Sequence, residues 1–241
     1  MTALILFDFD GTLADTAPDL AAAANQQRAR RGLAPHPYEP LRRVASQGAR
    51  GLLRVALDLK PEDEEYEQTR QQFLNDYAEN STVHSHLFAG IPDLLDRIRR
   101  EGMAWGIVTN KATHLTLPIV THLGLDDDCA VVVCGDTLSR AKPYPDPLWH
   151  AAKQAGFAAD QCVYVGDDLR DIQSARAAGM PVIAAAYGYL GEDADVTTWE
   201  ADVCAESPDA LWPAVCALLP RLAGKAPRLD HDSDAGPSAA V

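Results

Sequence analysis

A chain of 241 residues with 47% hydrophobic content is long enough for one sizeable core and an insert. Its formal charge of −14 argues against nucleic acid and anionic membrane as main partners, since both reward basic surfaces. No stretch reaches the roughly 18 apolar residues of a membrane span, and no basic leader precedes the first apolar run, so the cytoplasm is the expected location.

In chain order, Ala3-Leu4-Ile5-Leu6-Phe7 predicts a buried strand that opens into Asp8-Phe9-Asp10-Gly11-Thr12. Residues i and i+2 of an extended backbone point to the same side, so Asp8 and Asp10 converge. Two such carboxylates can hold Mg²⁺ while one serves as a nucleophile, and Gly11 permits a sharp turn after them. Taken alone, the motif also admits the lesser reading of a strand followed by an Asp-rich turn. From about Asp15 to Ser85 the pattern runs helix after helix with no convincing strand: Ala17 to Arg31, Glu39 to Ala45, Arg50 to Leu57 and Pro61 to Glu79. An all-helical insert directly after the first strand reads as a lid. His84-Ser85-His86 lacks further ligands at zinc spacing and reads as a linker or pocket rim.

Beyond the insert, strands alternate with amphipathic segments, the signature of a parallel α/β sheet. The strands are Met103 to Thr109, Ala130 to Cys134, Gln161 to Val165 and Pro181 to Ala185; the helices are Pro92 to Arg100, Thr113 to Leu123, Pro147 to Ala155 and Asp168 to Ala178. Each strand runs into a polar cluster, and in open α/β sheets ligands bind beyond the carboxyl ends of the strands. Thr109-Asn110-Lys111 suits phosphate oxygens or, alternatively, caps the next helix. Lys142, in the loop Ser139-Arg140-Ala141-Lys142-Pro143, can neutralise both a phosphoryl group and a nucleophilic carboxylate. Gly166-Asp167-Asp168-Leu169-Arg170-Asp171 crowds three acids at a strand end, which requires a compensating cation. Asp167 fits a Mg²⁺ ligand, Asp168 a helix cap, and Asp171 a group that orients a metal-bound water or holds Lys142. The five cysteines are odd in number and form no C-x-x-C pair, so Cys134 and Cys162 read as small buried hydrophobes.

These four elements in this order resemble the haloacid dehalogenase-like phosphohydrolase superfamily over nearly the whole chain, to about Leu222. The resemblance implies a Rossmann-like parallel sheet core with helices on both faces, formed by residues 1–14 and 86–222. It also implies a helical cap at 15–85, and the composition of 223–241 predicts a disordered tail. It further implies Mg²⁺-dependent hydrolysis of a small phosphomonoester through an aspartyl-phosphate on Asp8. Asp10 then acts as general acid and base; Asp8, the Asp10 carbonyl and Asp167 hold the metal; Thr109, Asn110 and Lys142 bind phosphate; Asp168 and Asp171 support them. Dehalogenases of the group usually lack the second acid, and phosphonate-cleaving relatives use a cap lysine, whereas the only lysine in this cap segment is Lys60, in an acidic stretch. Within the superfamily, Asp8 to Thr16 with Pro18, and Gly166 to Gly179, look most like phosphoglycolate phosphatases. Ser46-Gln47-Gly48-Ala49-Arg50, Gly166 to Ile172 and Tyr187-Gly188-Tyr189 suggest phosphatases of N-acetylmuramic acid 6-phosphate. Both substrates carry a carboxylate, and Arg50 is the candidate cation for it. A phosphosugar mutase and a non-catalytic phosphate-binding module remain as alternatives. The expected partner is a small phosphorylated metabolite, and the expected assembly a monomer or homodimer.

Overall fold

The computed structural model of the protein describes residues 3–191 and 194–223. The first strand, β1 (Leu4–Phe7), is buried along its whole length. It is followed by a short β2 (Ala14–Asp15) and four helices, α1 (Ala17–Arg30), α2 (Tyr38–Arg43), α3 (Gly48–Leu57) and α4 (Tyr66–Asn80), with a 3₁₀ turn at Ala45–Gln47. Then come β3 (His86–Leu87), α5 (Ile91–Arg100), β4 (Ala104–Val108), α6 (Thr113–His122), β5 (Val132–Val133), α7 (Asp146–Gln154), β6 (Cys162–Gly166), α8 (Leu169–Ala178), β7 (Val182–Ala185), β8 (Val203–Ala205) and α9 (Leu211–Ala223).

Six parallel strands form one sheet in the order β5-β4-β1-β6-β7-β8. β1 lies inside it, with Phe7 opposite Ile107 on one side and Val165 on the other. A strand covered on both faces needs an unbroken apolar run, which Leu4-Ile5-Leu6-Phe7 supplies. Alternation divides that run: Ile5 and Phe7 pack with residues of α5, α6 and α9, while Leu4 and Leu6 pack with α7 and α8. The architecture is thus a Rossmann-like α/β sheet with helices on both faces. The Ile5 and Phe7 side continues without a break into α1–α4, through Leu20, Leu41, Leu52 and Phe73. Cys134 and Cys162 are buried free thiols. Among the described residues no helix is long and apolar enough to cross a membrane.

Several elements depart from the sequence reading. Asp15, expected in a strand-free insert, pairs in β2 with His86 of β3 as an antiparallel ribbon. Just beyond that ribbon, the buried Asp19 carboxylate accepts hydrogen bonds from the backbone of His84 and Ser85 at 2.9–3.0 Å. The helix expected from Pro61 starts at Tyr66, because Asp63 instead closes a turn by accepting from the Lys60 N–H at 2.7 Å. The strand expected over 130–134 narrows to two residues. β8 is three residues long with Cys204 exposed, too short to announce itself. The expected tail lies outside the described residues beyond Ala223.

Candidate active site

The carboxyl ends of β1, β4 and β6 converge under the helices α1–α4 and enclose a cavity of about 410 Å³. Asp8 leaves β1 with its N–H donating to the Val165 carbonyl at 2.8 Å, which carries the sheet register one residue into the site. Its Oδ1 accepts from the Phe9 N–H at 2.7 Å and meets Lys142 Nζ at 2.9 Å. Lys142 also reaches Asp171 Oδ1 at 2.6 Å, the Val108 carbonyl at 3.0 Å and the Tyr164 hydroxyl at 2.9 Å. Burial works against this ammonium, yet Asp171 and Asp8 outweigh it and hold the Lys142 pKa above its ordinary value.

The loop that carries Lys142 is set by Asn110. Its amide donates to the Lys142 carbonyl at 2.9 Å, and its Oδ1 accepts the Lys142 N–H at 3.0 Å. The Asn110 side chain, expected on phosphate, is therefore engaged by the backbone of another expected phosphate ligand. Thr109 is buried at the rim of the cavity, and its hydroxyl accepts the Lys111 N–H at 3.2 Å.

Asp167 is fully buried one residue past β6. Thr12 Oγ1 donates to its Oδ1 at 3.0 Å, while the Tyr189 N–H at 2.7 Å and the Ser46 hydroxyl at 3.2 Å donate to its Oδ2. Gly11, with φ +82°, and Gly188 both press against this side chain, and a Cβ at either would overlap it. Asp168 caps α8 by accepting the Arg170 N–H at 2.9 Å, and the Arg170 guanidinium folds back on it at 2.8 Å. Burial opposes the Asp168 charge, but Arg170 prevails and holds its pKa below the ordinary value. Asp171 completes the capping box by accepting the Asp168 N–H at 3.1 Å.

Carboxylate oxygens of Asp8, Asp167 and Asp171 lie within 4.8 Å of one another, and all three residues are buried. Burial first, and the neighbouring carboxylates next, push Asp8 up to about 7 despite Lys142. The same two causes, in that order, push Asp167 well above its ordinary value. A crowded set of hard oxygen donors whose charges lack full compensation fits a divalent cation. The Asp10 carboxylate is not in this cluster. Its Oδ1 meets Lys111 Nζ at 2.9 Å and accepts the Thr16 hydroxyl.

The helical side of the cavity brings Arg50, Arg70, Tyr66, Phe73 and Tyr77. Arg50 is exposed on the first turn of α3 and makes no ion pair among the described residues. Arg170 donates to the Ser46 carbonyl at 2.8 Å, bridging α8 to the helical layer. Sequence reasoning gave no role to Lys111, Ser46, Tyr77, Arg170 or Tyr189. Lys111, Ser46, Arg170 and Tyr189 all stood inside segments already singled out, and Tyr77 alone belonged to no quoted motif.

The sequence model of the haloacid dehalogenase-like hydrolases matches residues 5–185. The chain is 46% identical over 211 residues to a phosphoglycolate phosphatase of Xanthomonas campestris pv. campestris, covering 86% of this chain and 94% of that protein. It is 42% identical over 216 residues to an N-acetylmuramic acid 6-phosphate phosphatase of Pseudomonas aeruginosa, covering 88% and 96%. The crystal structure of a predicted phosphoglycolate phosphatase from Haemophilus somnus superposes with a TM-score of 0.78 at 27% identity, covering 89% of this chain and 98% of that one.

Proposed function

The chain belongs to the haloacid dehalogenase-like hydrolases, and from that premise we propose that it is a Mg²⁺-dependent phosphatase of a small carboxylated phosphomonoester, with Asp8 as nucleophile. The observation that carries this reading is the position of Asp8. It lies at a strand end facing the cavity, tied to Lys142 and within reach of Asp167 and Asp171.

An Asp8 oxygen attacks phosphorus, the P–O bond to the leaving group breaks, and Asp10 gives its proton to the departing alkoxide. Asp10 then takes a proton from the water that cleaves the aspartyl-phosphate, which returns both residues to their starting states. Lys142 and the Thr109 hydroxyl hold phosphoryl oxygens, Asn110 keeps Lys142 in place, and Asp168 and Asp171 fix the turn that presents Asp167. The residues that would hold Mg²⁺ are Asp8, Asp167 and the Asp10 carbonyl. When bound, the cation offsets negative charge on the transferring phosphoryl group. The helices of 15–85 act as a cap that supplies specificity, with Arg50 facing the substrate carboxylate. We place the enzyme in the cytoplasm, as a monomer or homodimer.

2-Phosphoglycolate and N-acetylmuramic acid 6-phosphate are the leading substrates, after the names of the relatives. A cavity of about 410 Å³ walled by Tyr66, Phe73 and Tyr77 favours the larger of them, whose sugar ring offers apolar faces to aromatic rings. The test is phosphate release from both compounds, hexose phosphates and nucleotides, with and without Mg²⁺, by wild type and Asp8→Asn. Mg²⁺-dependent turnover should vanish in the variant, a loss of about 10⁴-fold or more. Release that needs a bisphosphate activator would point to a mutase instead, and no release from any compound to a binding module.

A further inference from the structure

Lys111 is a buried cation with no direct part in the phosphoryl transfer. It stands three residues past the end of β4 with its side chain only 7% exposed. Its ammonium donates to Asp10 Oδ1 at 2.9 Å and to the Tyr77 hydroxyl at 2.7 Å, and lies 4.5 Å from the centroid of the Tyr77 ring. Tyr77 belongs to α4 of the helical layer and is itself 1% exposed. A single ammonium thus joins the acid–base carboxylate at the sheet to a side chain of the layer above it. The Thr16 hydroxyl donates to the same Oδ1, while nothing among the described residues donates to Oδ2. Two donors on one oxygen fix the rotation of the carboxylate and leave the other oxygen for proton transfer.

We propose that Lys111 is the positioning residue of Asp10, and that through Tyr77 it makes the working orientation of Asp10 depend on the docked helical layer. This rests on the reading of Asp10 as the acid that protonates the leaving alkoxide. With the layer docked, Tyr77 holds Lys111, Lys111 holds Asp10, and the proton passes to the leaving oxygen as the P–O bond breaks. With the layer displaced, Lys111 loses a partner and Asp10 loses its fixed rotation, so an alkyl ester is not cleaved in a site open to water.

The dependence on leaving group separates this role from a structural one. The quantity kcat/KM reports the steps up to formation of the aspartyl-phosphate. p-Nitrophenolate departs as a stable anion without a proton, whereas the alkoxides of 2-phosphoglycolate and N-acetylmuramic acid 6-phosphate require one. Asp10→Asn sets the reference, with a loss on the alkyl esters far exceeding that on p-nitrophenyl phosphate. Lys111→Met should show the same bias, with the alkyl esters losing about tenfold or more beyond the aryl ester. Lys111→Arg should recover part of it, and Tyr77→Phe should show the bias at smaller size. Equal losses on both ester classes in Lys111→Met, with the bias intact in Asp10→Asn, would overturn the proposal. An unbiased Asp10→Asn would overturn the acid reading itself, and the Lys111 proposal with it. Should Lys111→Met fail to fold, Tyr77→Phe removes a single oxygen and carries the same test, absence of bias counting against.

Discussion

At the strand ends, Asp8, Lys142, Asp167 and Asp171 are buried and tied more than once: Lys142 holds both Asp8 and Asp171, and Asp167 accepts from three separate elements. On the helical layer, Arg50 faces the same cavity exposed and without an ion pair among the described residues. The contrast separates two kinds of work. Groups that stabilise charge on a transferring phosphoryl must be fixed before substrate arrives, because reorganising them during the reaction would return the gain. A group that recognises the rest of the substrate can wait in solvent. The layer still reaches the chemistry, at Ser46 on Asp167 and Tyr77 on Lys111, so the two regions meet at particular atoms.

The sharpest way to break the comparison is Lys142→Met. If the strand-end cluster is preorganised as a unit, the variant loses activity by about 10²–10³-fold on every phosphomonoester, aryl and alkyl alike. It also leaves Asp8 and Asp171 as buried carboxylates without their cation, which costs about 3–5 kcal/mol of stability by the usual penalty for breaking a buried pair. Urea unfolding and p-nitrophenyl phosphate kinetics together check this. A stable variant with near-normal turnover would mean that the cluster does not act as one.

Arg50→Ala probes the other region and should act more mildly. An exposed guanidinium that meets a substrate carboxylate contributes on the order of one charge-assisted hydrogen bond, hence about tenfold in KM. KM should rise for carboxylated substrates alone, while p-nitrophenyl phosphate, which lacks the carboxylate, is hydrolysed as before. An equal loss on both would move Arg50 out of specificity and into the phosphoryl site.

The difference between the regions also governs how much of each was legible in the sequence. Asp8, Asp10 and Asp167 stand just past apolar runs, and a parallel sheet necessarily gathers its strand ends, so period and punctuation placed them near one another, whereas Lys142, in a polar loop well past β5, drew its weight only from their company. The contact of Tyr77 with Lys111 was not legible, because α4 reaches β4 only through the packing of the whole helical layer, which no local pattern encodes. Asn110 shows the same limit on a smaller scale. Its place beside the site was readable, but its engagement by the Lys142 backbone depends on where a distant loop comes to rest. The β2–β3 ribbon and β8 escaped for a simpler reason, since two or three residues carry no period.

The smallest expected effect concerns pH and the cation. Burial and neighbouring carboxylates raise Asp8 from 3.8 to about 7 in the folded, metal-free protein. A carboxyl whose folded pKa lies above its unfolded one binds more protons when folded, so its contribution to stability is complete below pH 3.8 and is lost as pH rises toward 7. Asp167 shifts in the same direction and adds to the loss. A divalent cation favours the ionised form of both, so it should restore what rising pH removes. Saturating Mg²⁺ should therefore raise the melting temperature by a few degrees at pH 8, about 1–2 kcal/mol for a domain of this size, and by much less at pH 5. Calorimetry at the two pH values checks the sign, and Asp167→Asn should lose most of the difference while the fold persists. A Mg²⁺ effect equal at both pH values would mean that the strand-end carboxylates are already ionised without the metal, their charges balanced by Lys142 alone.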